Sequence, residues 1–123
     1  MSLTIQVFAE LVRFELLQAL GGFRTIHASV RNAPRSPAVN APHMVLAVCE
    51  AINRVACFYW KPVLCLQRAA VTTRLLRRHG VDACMVIGYR PSPFLSHAWV
   101  EVGGTIVNDS AAYQERLIVL DRL

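Results

Sequence analysis

The spacing of apolar residues changes at Gly80, and this change constrains the fold more than any other feature of the chain. Before Gly80, residues 4–20 and about 43–57 carry apolar side chains at helical intervals, and a third helix is predicted to begin around Cys65. After Gly80, the apolar residues occur in short runs that are typical of strands. A helical half followed by a strand half predicts an α+β fold, with helices packed on a small antiparallel sheet.

The strand half of the chain is divided by turn signals. Residues 83–89 are apolar enough for a buried strand, and residues 97–102 alternate between apolar and polar side chains. The Gly-Gly pair that follows predicts a hairpin turn, after which residues 105–109 return as the partner strand. Residues 113–120 are expected to add one more strand or a closing segment.

Length and composition indicate a single globular domain. The chain has 123 residues, of which 54% are hydrophobic and 17% charged, so it can bury a real core. Residues 1–42 are expected to form an N-terminal helix, ended by a Gly-Gly pair, and a proline-containing linker, while residues 43–123 form the core with the candidate site. Neither a secretory signal nor a run of about 18 apolar residues is present, so we expect a cytoplasmic protein without a transmembrane segment.

The four cysteines do not have the spacing of a metal site. Neither C-x-x-C nor H-x-x-x-H occurs, so zinc is not expected, and the sequence predicts no other cofactor. A disulfide framework is not expected in a reducing compartment. The simplest interpretation of Cys49, Cys57 and Cys84 is that they are small buried hydrophobic residues. Cys65 differs from them, because it stands where a helix is predicted to begin.

Cys65, His97 and Asp109 have the residue types and predicted positions of an acyl-transfer site. A helix N-terminus presents unpaired N–H groups and the positive end of the helix dipole, which stabilise a thiolate and the oxyanion formed when a carbonyl is attacked. His97, at the start of a predicted strand, can take the thiol proton. Asp109, at the end of the hairpin partner, can orient the histidine.

The register of the hairpin decides whether Asp109 can reach His97. Side chains alternate between the two faces of a strand, so a plain two-residue turn at Gly103-Gly104 would direct Asp109 to the face opposite His97. One extra residue in the turn, or a glycine bulge, brings both side chains to the same face. We therefore predict the shifted register, or an equivalent irregularity before Asp109, with the carboxylate within hydrogen-bond reach of His97.

Five short segments after residue 64 are together specific: CLQR, LLRRHG, IGY, HAWVE and VND. Over roughly residues 45–123 the chain resembles the leader peptidases of lasso-peptide biosynthesis, which belong to the transglutaminase-like superfamily. The resemblance implies a transglutaminase/papain-like fold and a cysteine protease with Cys65 as nucleophile, His97 as base and Asp109 as orienter. Unlike papain-like enzymes, the chain has no glutamine shortly before Cys65; Gln67 follows it, so the backbone N–H of Cys65 is the expected oxyanion donor.

The same resemblance implies the partners of such an enzyme. Its substrate would be a ribosomally made precursor peptide, cleaved at the junction of leader and core. A separate recognition protein would hold the leader, because the chain is too short for an additional leader-binding domain, and a lasso cyclase would close the core peptide. The net charge of +5 is compatible with an acidic partner.

Two other functions remain open from the residues. A transglutaminase-like acyltransferase would use the same three residues and pass the acyl group to an amine instead of water. A non-enzymatic basic adaptor or nucleic-acid-binding protein would use the positive charge. However, the sequence has no nucleic-acid-binding motif, and we do not expect nucleic acid as a partner. The third helix carries four arginines, which are expected to form a solvated face or a dock for an acidic leader or the recognition protein: Arg68, Arg74, Arg77 and Arg78.

Overall fold

The computed structural model describes residues 2–33, 42–91, 94–107 and 117–123. In this part of the chain, three helices precede four strands: α1 (Leu3–Arg31), α2 (Pro42–Phe58), α3 (Cys65–Arg78), β1 (Ala83–Pro91), β2 (Phe94–Val102), β3 (Thr105–Val107) and β4 (Ile118–Arg122). The strands form an antiparallel sheet in the order β3-β2-β1-β4. The predicted α+β architecture is confirmed. None of the helices described is both long and apolar enough to cross a membrane.

The sequence predicts that the first helix ends at its glycine pair, and this prediction is wrong. Gly22 takes φ 64° and ψ −152°, which kinks the helix, and the helix then resumes as far as Arg31. Glycine adopts this positive φ without the steric cost that a Cβ would bring. The resumed segment buries Ile26 and Val30, so packing against the core explains why the helix continues.

α1 packs against α3 and belongs to the main hydrophobic core. Glu10 of α1 is 5% exposed, and its carboxylate accepts hydrogen bonds from Arg74 Nε, at 3.0 Å, and from Arg78. A buried carboxylate is tolerated when it is paired in this way. The N-terminal region, which carries no recognisable motif, therefore supplies one wall of the domain.

α3 lies between α1, α2 and the sheet, and so it is buried around most of its circumference. The helical spacing of five residues predicts one buried stripe on α3: Leu66, Ala69, Ala70, Thr73 and Leu76. Four of them are buried and Leu66 is half-buried, so this prediction is largely confirmed. Additional positions of the helix are buried as well, because its neighbours lie on several sides: Gln67, Val71, Thr72, Leu75 and Arg77.

Two of the four arginines of α3, Arg74 and Arg77, do not lie on the solvated face or dock that the sequence predicts. Arg77 is 1% exposed, and its guanidinium donates hydrogen bonds to the backbone carbonyls of Val30, Ala83 and Leu123. Two other arginines, Arg74 and Arg78, pair with a glutamate of α1 as described above. Arg74 and Arg77 hold elements of the fold together, so the expectation of a solvated face or dock is wrong for them. Arg78 is exposed, as expected of a solvated face, although it also pairs with Glu10.

The two faces of β2 belong to different clusters. Ala98 and Val100 point towards the helices and join the main core. Trp99 belongs to a smaller cluster on the opposite face, with Val86 and Leu117. This alternation is the one expected for residues 97–102, but β2 begins at Phe94, so the prediction that the strand starts at residue 97 is wrong. The strand is longer because it pairs with β1 as far as residue 91.

The hairpin between β2 and β3 has a regular two-residue turn. Gly103 and Gly104 have φ values of 59° and 81°, which is the requirement of a type I′ turn. The register follows directly: Val102 pairs with Thr105, Glu101 with Ile106 and Val100 with Val107. The predicted one-residue shift is therefore absent up to residue 107, because both glycines serve the tight turn. Asp109, and any irregularity just before it, lie outside the described residues, so its contact with the histidine stays a prediction.

Replacing Thr73 with valine is expected to stabilise the protein by on the order of 1 kcal/mol. Thr73 is fully buried, and its hydroxyl has no hydrogen-bond partner among the described residues. Valine has nearly the same shape and removes the unsatisfied polar group. Thr72→Val is the matched control, because the Thr72 hydroxyl donates to Arg68 O at 2.7 Å and its removal gains nothing. Urea denaturation measures both changes; equal effects would contradict this assignment.

Candidate active site

Cys65 is the first residue of α3, as predicted, and the helix start in front of it is left open. Leu64 occupies the N-cap position with extended backbone angles and makes no side-chain capping bond. The first helical bond runs from Arg68 N–H to Leu64 O, at 2.9 Å, so the N–H groups of the first turn have no acceptor within the helix. Serine or aspartate at residue 64 would occupy one of them. Leucine leaves them available to an oxyanion.

Cys65 and His97 line the same cleft, which has a volume of about 210 Å³. One wall is formed by residues of α3 that are three or four positions apart and so lie on one face of the helix. The other wall is formed by β2 and the end of β3. Residues from these elements line the cleft: Cys65, Arg68, Ala69, Thr72, His97, Ala98, Trp99, Val100 and Val107. The structure thus brings together two of the three predicted site residues, and the third, Asp109, lies outside the described part of the chain.

The chain on both sides of the cysteine is attached to α1 through Glu15. One carboxylate oxygen of Glu15 accepts from Lys61 Nζ at 2.9 Å, and the other accepts from Gln67 Nε2 at 3.0 Å. Gln67 also donates to Leu11 O at 3.2 Å, so its amide is directed towards α1. Gln67 is therefore unavailable as an oxyanion donor, which leaves the backbone N–H of Cys65 as the expected one.

Glu15 was not found by sequence analysis, for a physical reason. It lies 52 residues before Gln67 in the chain, and no motif surrounds it. Only the packing of α1 on α3 brings the two side chains together. A glutamate in the middle of an amphipathic helix otherwise indicates no more than a polar face.

His97 lies beside Trp99, which shares its face of β2. Their ring centroids are 6.3 Å apart and the ring planes differ by 23°, which is an offset stack. From the sequence, a tryptophan two residues after His97 can be a wall of the site or a plain core aromatic. The indole does both, because it lines the cleft and belongs to a buried cluster. Trp99 therefore limits where the imidazole can lie.

The other cysteines have environments unlike that of Cys65. Cys49 is buried, and burial raises the pKa of its thiol. Cys84 is half-buried and not fully buried as predicted, but this partial burial also raises the pKa of its thiol, against the opposing effect of Arg122 and Arg77. Both thiols are thus held in the protonated form at neutral pH, as expected of hydrophobic cysteines. Cys57 is exposed, so the expectation that it is buried is wrong.

Brief alkylation of the native protein is expected to separate the cysteines. Iodoacetamide needs access to the sulfur, so the exposed Cys57 and the half-buried Cys65, which lines the cleft, are modified first. Cys49 and Cys84 react slowly until the protein is unfolded, because their pKa values are raised. Peptide mapping by mass spectrometry measures the order, and rapid native labelling of Cys49 would contradict the buried environment. A denatured sample, in which all four react, is the control.

Two other histidines, His27 and His79, contact residues that do not line the cleft. His27 Nε2 lies 2.7 Å from Asp121 Oδ2, and the hydrogen bond with His27 holds the pKa of that carboxyl below its ordinary value. His79 Nε2 lies 3.0 Å from Gln6 Oε1. No motif in the sequence gives His27 or His79 a partner, so both are predicted to be surface residues. In the structure His27 links α1 to β4, and His79 links the end of α3 to α1. Among the described residues, no group of three or more His, Cys, Asp or Glu side chains is arranged to hold a metal ion.

Comparison with known proteins gives the family. A family model described as the transglutaminase-like superfamily matches residues 8–121. The chain belongs to this superfamily. The region matched by the superfamily model includes most of α1. The resemblance seen in the sequence covers only roughly residues 45–123.

This superfamily member is also similar to a curated processing protein. It is 43% identical over 56 residues to the microcin J25-processing protein McjB of Escherichia coli. The matched segment is 46% of this chain and 27% of McjB, so less than a third of that protein is covered. No solved structure gives a significant match.

Proposed function

We propose that this protein is a cysteine peptidase that removes the leader from a ribosomally made lasso-peptide precursor. The observation that carries the proposal is that Cys65, at an open helix N-terminus, shares a cleft with His97. Membership of the transglutaminase-like superfamily supports thioester chemistry at this cysteine. The similarity to a microcin-processing protein, together with the resemblance to lasso leader peptidases, supports a peptide precursor as the substrate.

The proposed reaction has two halves. His97 takes the thiol proton of Cys65, and the sulfur attacks the carbonyl carbon of the scissile bond. Backbone N–H groups of the first turn of α3, beginning with that of Cys65, donate to the oxyanion, and His97 returns the proton to the leaving amine. Water, activated by His97, then hydrolyses the thioester. Asp109 is proposed to orient the imidazole.

The alternative functions differ in how well they fit the site. An acyltransferase would form the same thioester and transfer it to an amine, so the acceptor alone distinguishes it from a peptidase. A nucleic-acid-binding adaptor is less compatible with the structure, because Arg74, Arg77 and Arg78 are engaged in contacts inside the fold. Fewer positive charges are then available for phosphates.

The test is incubation with the precursor peptide and the separate recognition protein in water enriched in oxygen-18. Hydrolysis predicts a released core peptide and a leader whose new carboxylate carries oxygen-18. Transfer to an added amine would give an unlabelled leader amide and would favour the acyltransferase. An intact precursor under all these conditions would contradict both enzymes.

The need for a recognition protein is tested in the same assay. We expect turnover at low micromolar enzyme to fall when that protein is omitted, because the cleft is small and has no room for a leader-length peptide. Equal rates with and without it would remove the reason to propose a separate leader-binding partner. Full-length precursor and a peptide lacking the distal leader form the matched pair of substrates.

A further inference from the structure

The indole of Trp99 lies between His97 and Glu101 on one face of β2. Its ring stacks beside the imidazole, as described above, and its Nε1–H donates to Glu101 Oε2 at 2.9 Å. Trp99 is 1% exposed and Glu101 is 5% exposed. A hydrogen bond in such a place is costly to break, because both partners would be left without water. The indole therefore has a fixed orientation beside His97.

The opposite strand provides the space that this orientation needs. Gly88 of β1 pairs with His97 across the sheet. A Cβ added at Gly88 would lie 2.7 Å from Cη2 and 2.8 Å from Cζ3 of Trp99, and 3.0 Å from the Cβ of Leu117. Any side chain at residue 88 would consequently push the indole away. The glycine in the IGY segment is explained by this packing.

The carboxylate of Glu101 is held in place by a second donor besides the indole. Arg122 of β4 donates from Nη1 to Glu101 Oε1 at 2.6 Å, so each oxygen of Glu101 has a donor. Arg122 is half-exposed, and Glu101 is not. The series from the imidazole to the guanidinium spans β2 and β4, and each member restricts the next.

We infer that Trp99 and Glu101 are positioning residues that fix the imidazole of His97 in the cleft. The inference rests on the proposed function, because it assumes that His97 is the base. A base must be held within hydrogen-bond reach of the thiol, and a displacement of about 1 Å can lower a rate roughly 100-fold. Trp99 limits the imidazole by contact, and Glu101 prevents the indole from turning. Neither residue touches the reacting atoms.

Three variants test the inference in the full-length protein. Trp99→Phe keeps a ring but loses the N–H, and Glu101→Ala removes its acceptor; we expect each to lower kcat about 10- to 100-fold with KM nearly unchanged. Glu101→Gln keeps an oxygen that can accept from the indole, so we expect it to retain most of the activity. The half-exposed Arg122 can turn to solvent in that variant. Rescue by glutamine but not alanine separates hydrogen-bonded positioning from charge.

Nuclear magnetic resonance of the imidazole gives a readout that does not depend on catalysis. The ring protons of His97 are shifted by the nearby indole, and we expect their signals to move in Trp99→Phe and Glu101→Ala but to stay close to wild type in Glu101→Gln. Val48→Ala is the control, because Val48 is fully buried in the main core and its loss lowers stability away from this cluster. Wild-type signals are expected for His97 in that control.

The outcomes separate the inference from the proposed function. Loss of kcat with shifted His97 signals, beyond any loss in Val48→Ala, supports the positioning role. Unchanged signals and rates in Trp99→Phe and Glu101→Ala would overturn it while leaving the peptidase proposal intact. If the wild-type protein cleaves no precursor, the peptidase proposal fails, and the His97 signals alone still decide whether the tryptophan and glutamate orient the ring.

Discussion

Replacing Cys65 with alanine is expected to lower the rate of leader removal by roughly 10⁴- to 10⁶-fold, with no loss of fold. The substitution removes the sulfur that we propose forms the thioester, while the helix N-terminus and His97 stay in place. Alanine is compatible with the first position of a helix, and Cys65 is only half-buried, so the free energy of unfolding is expected to change by less than about 1 kcal/mol. Cleavage of the precursor, followed by mass spectrometry, measures the effect.

The exposed Cys57 provides the matched control for this experiment. Cys57→Ala removes a thiol that is also accessible but lies on α2, and we expect it to keep the wild-type rate. Circular dichroism of both variants checks that the helices are retained. Cleavage by purified Cys65→Ala at the wild-type rate would show that the nucleophile has been assigned to the wrong residue.

Replacing Arg77 with methionine is expected to destabilise the protein by about 3–5 kcal/mol. The guanidinium of Arg77 satisfies backbone carbonyls from α1, from the start of β1 and from Leu123. Methionine fills much of the volume but donates no hydrogen bonds, so these acceptors lose their partner in a region that water does not reach. Urea denaturation followed by circular dichroism measures the loss.

Arg78→Met is the matched control, since it removes the same charge one residue further along the same helix. The Arg78 side chain is 46% exposed, and its pairing with Glu10 is partly screened by solvent. We expect a loss of about 1 kcal/mol or less. Equal losses in the two variants would mean that the carbonyl contacts of Arg77 contribute little.

The start of α2 and both ends of α3 could be predicted well because local residues determine them, whereas the end of α1 at Arg31 could not, because packing on the core carries the helix past its glycine pair. Pro42 begins α2, and Gly80, with φ 85°, ends the turn after α3. The burial of α3 could be predicted only in part, because a hydrophobic stripe indicates one contact surface and this helix has several. A buried arginine such as Arg77 cannot be recognised locally, since its acceptors come from three distant segments.

The candidate site shows the same division between local and tertiary information. Cys65 could be predicted from the helix start, and His97 from its place in a recognisable segment. Glu15, by contrast, contacts its partners only because α1 packs on α3. The register of the hairpin was predicted wrongly, because two adjacent glycines are compatible with both a bulge and a type I′ turn, and the preference between them depends on the strand pairing.

The contacts of Glu15 determine which parts can be exchanged between related enzymes. A chimaera that joins residues 42–123 of this chain to the first helix of a relative would present Lys61 and Gln67 with a foreign side chain at position 15. In such a chimaera we expect Cys65, the proposed nucleophile, to be misplaced even where the hydrophobic core assembles. Recombination between relatives therefore has to transfer α1 together with the segment 61–67.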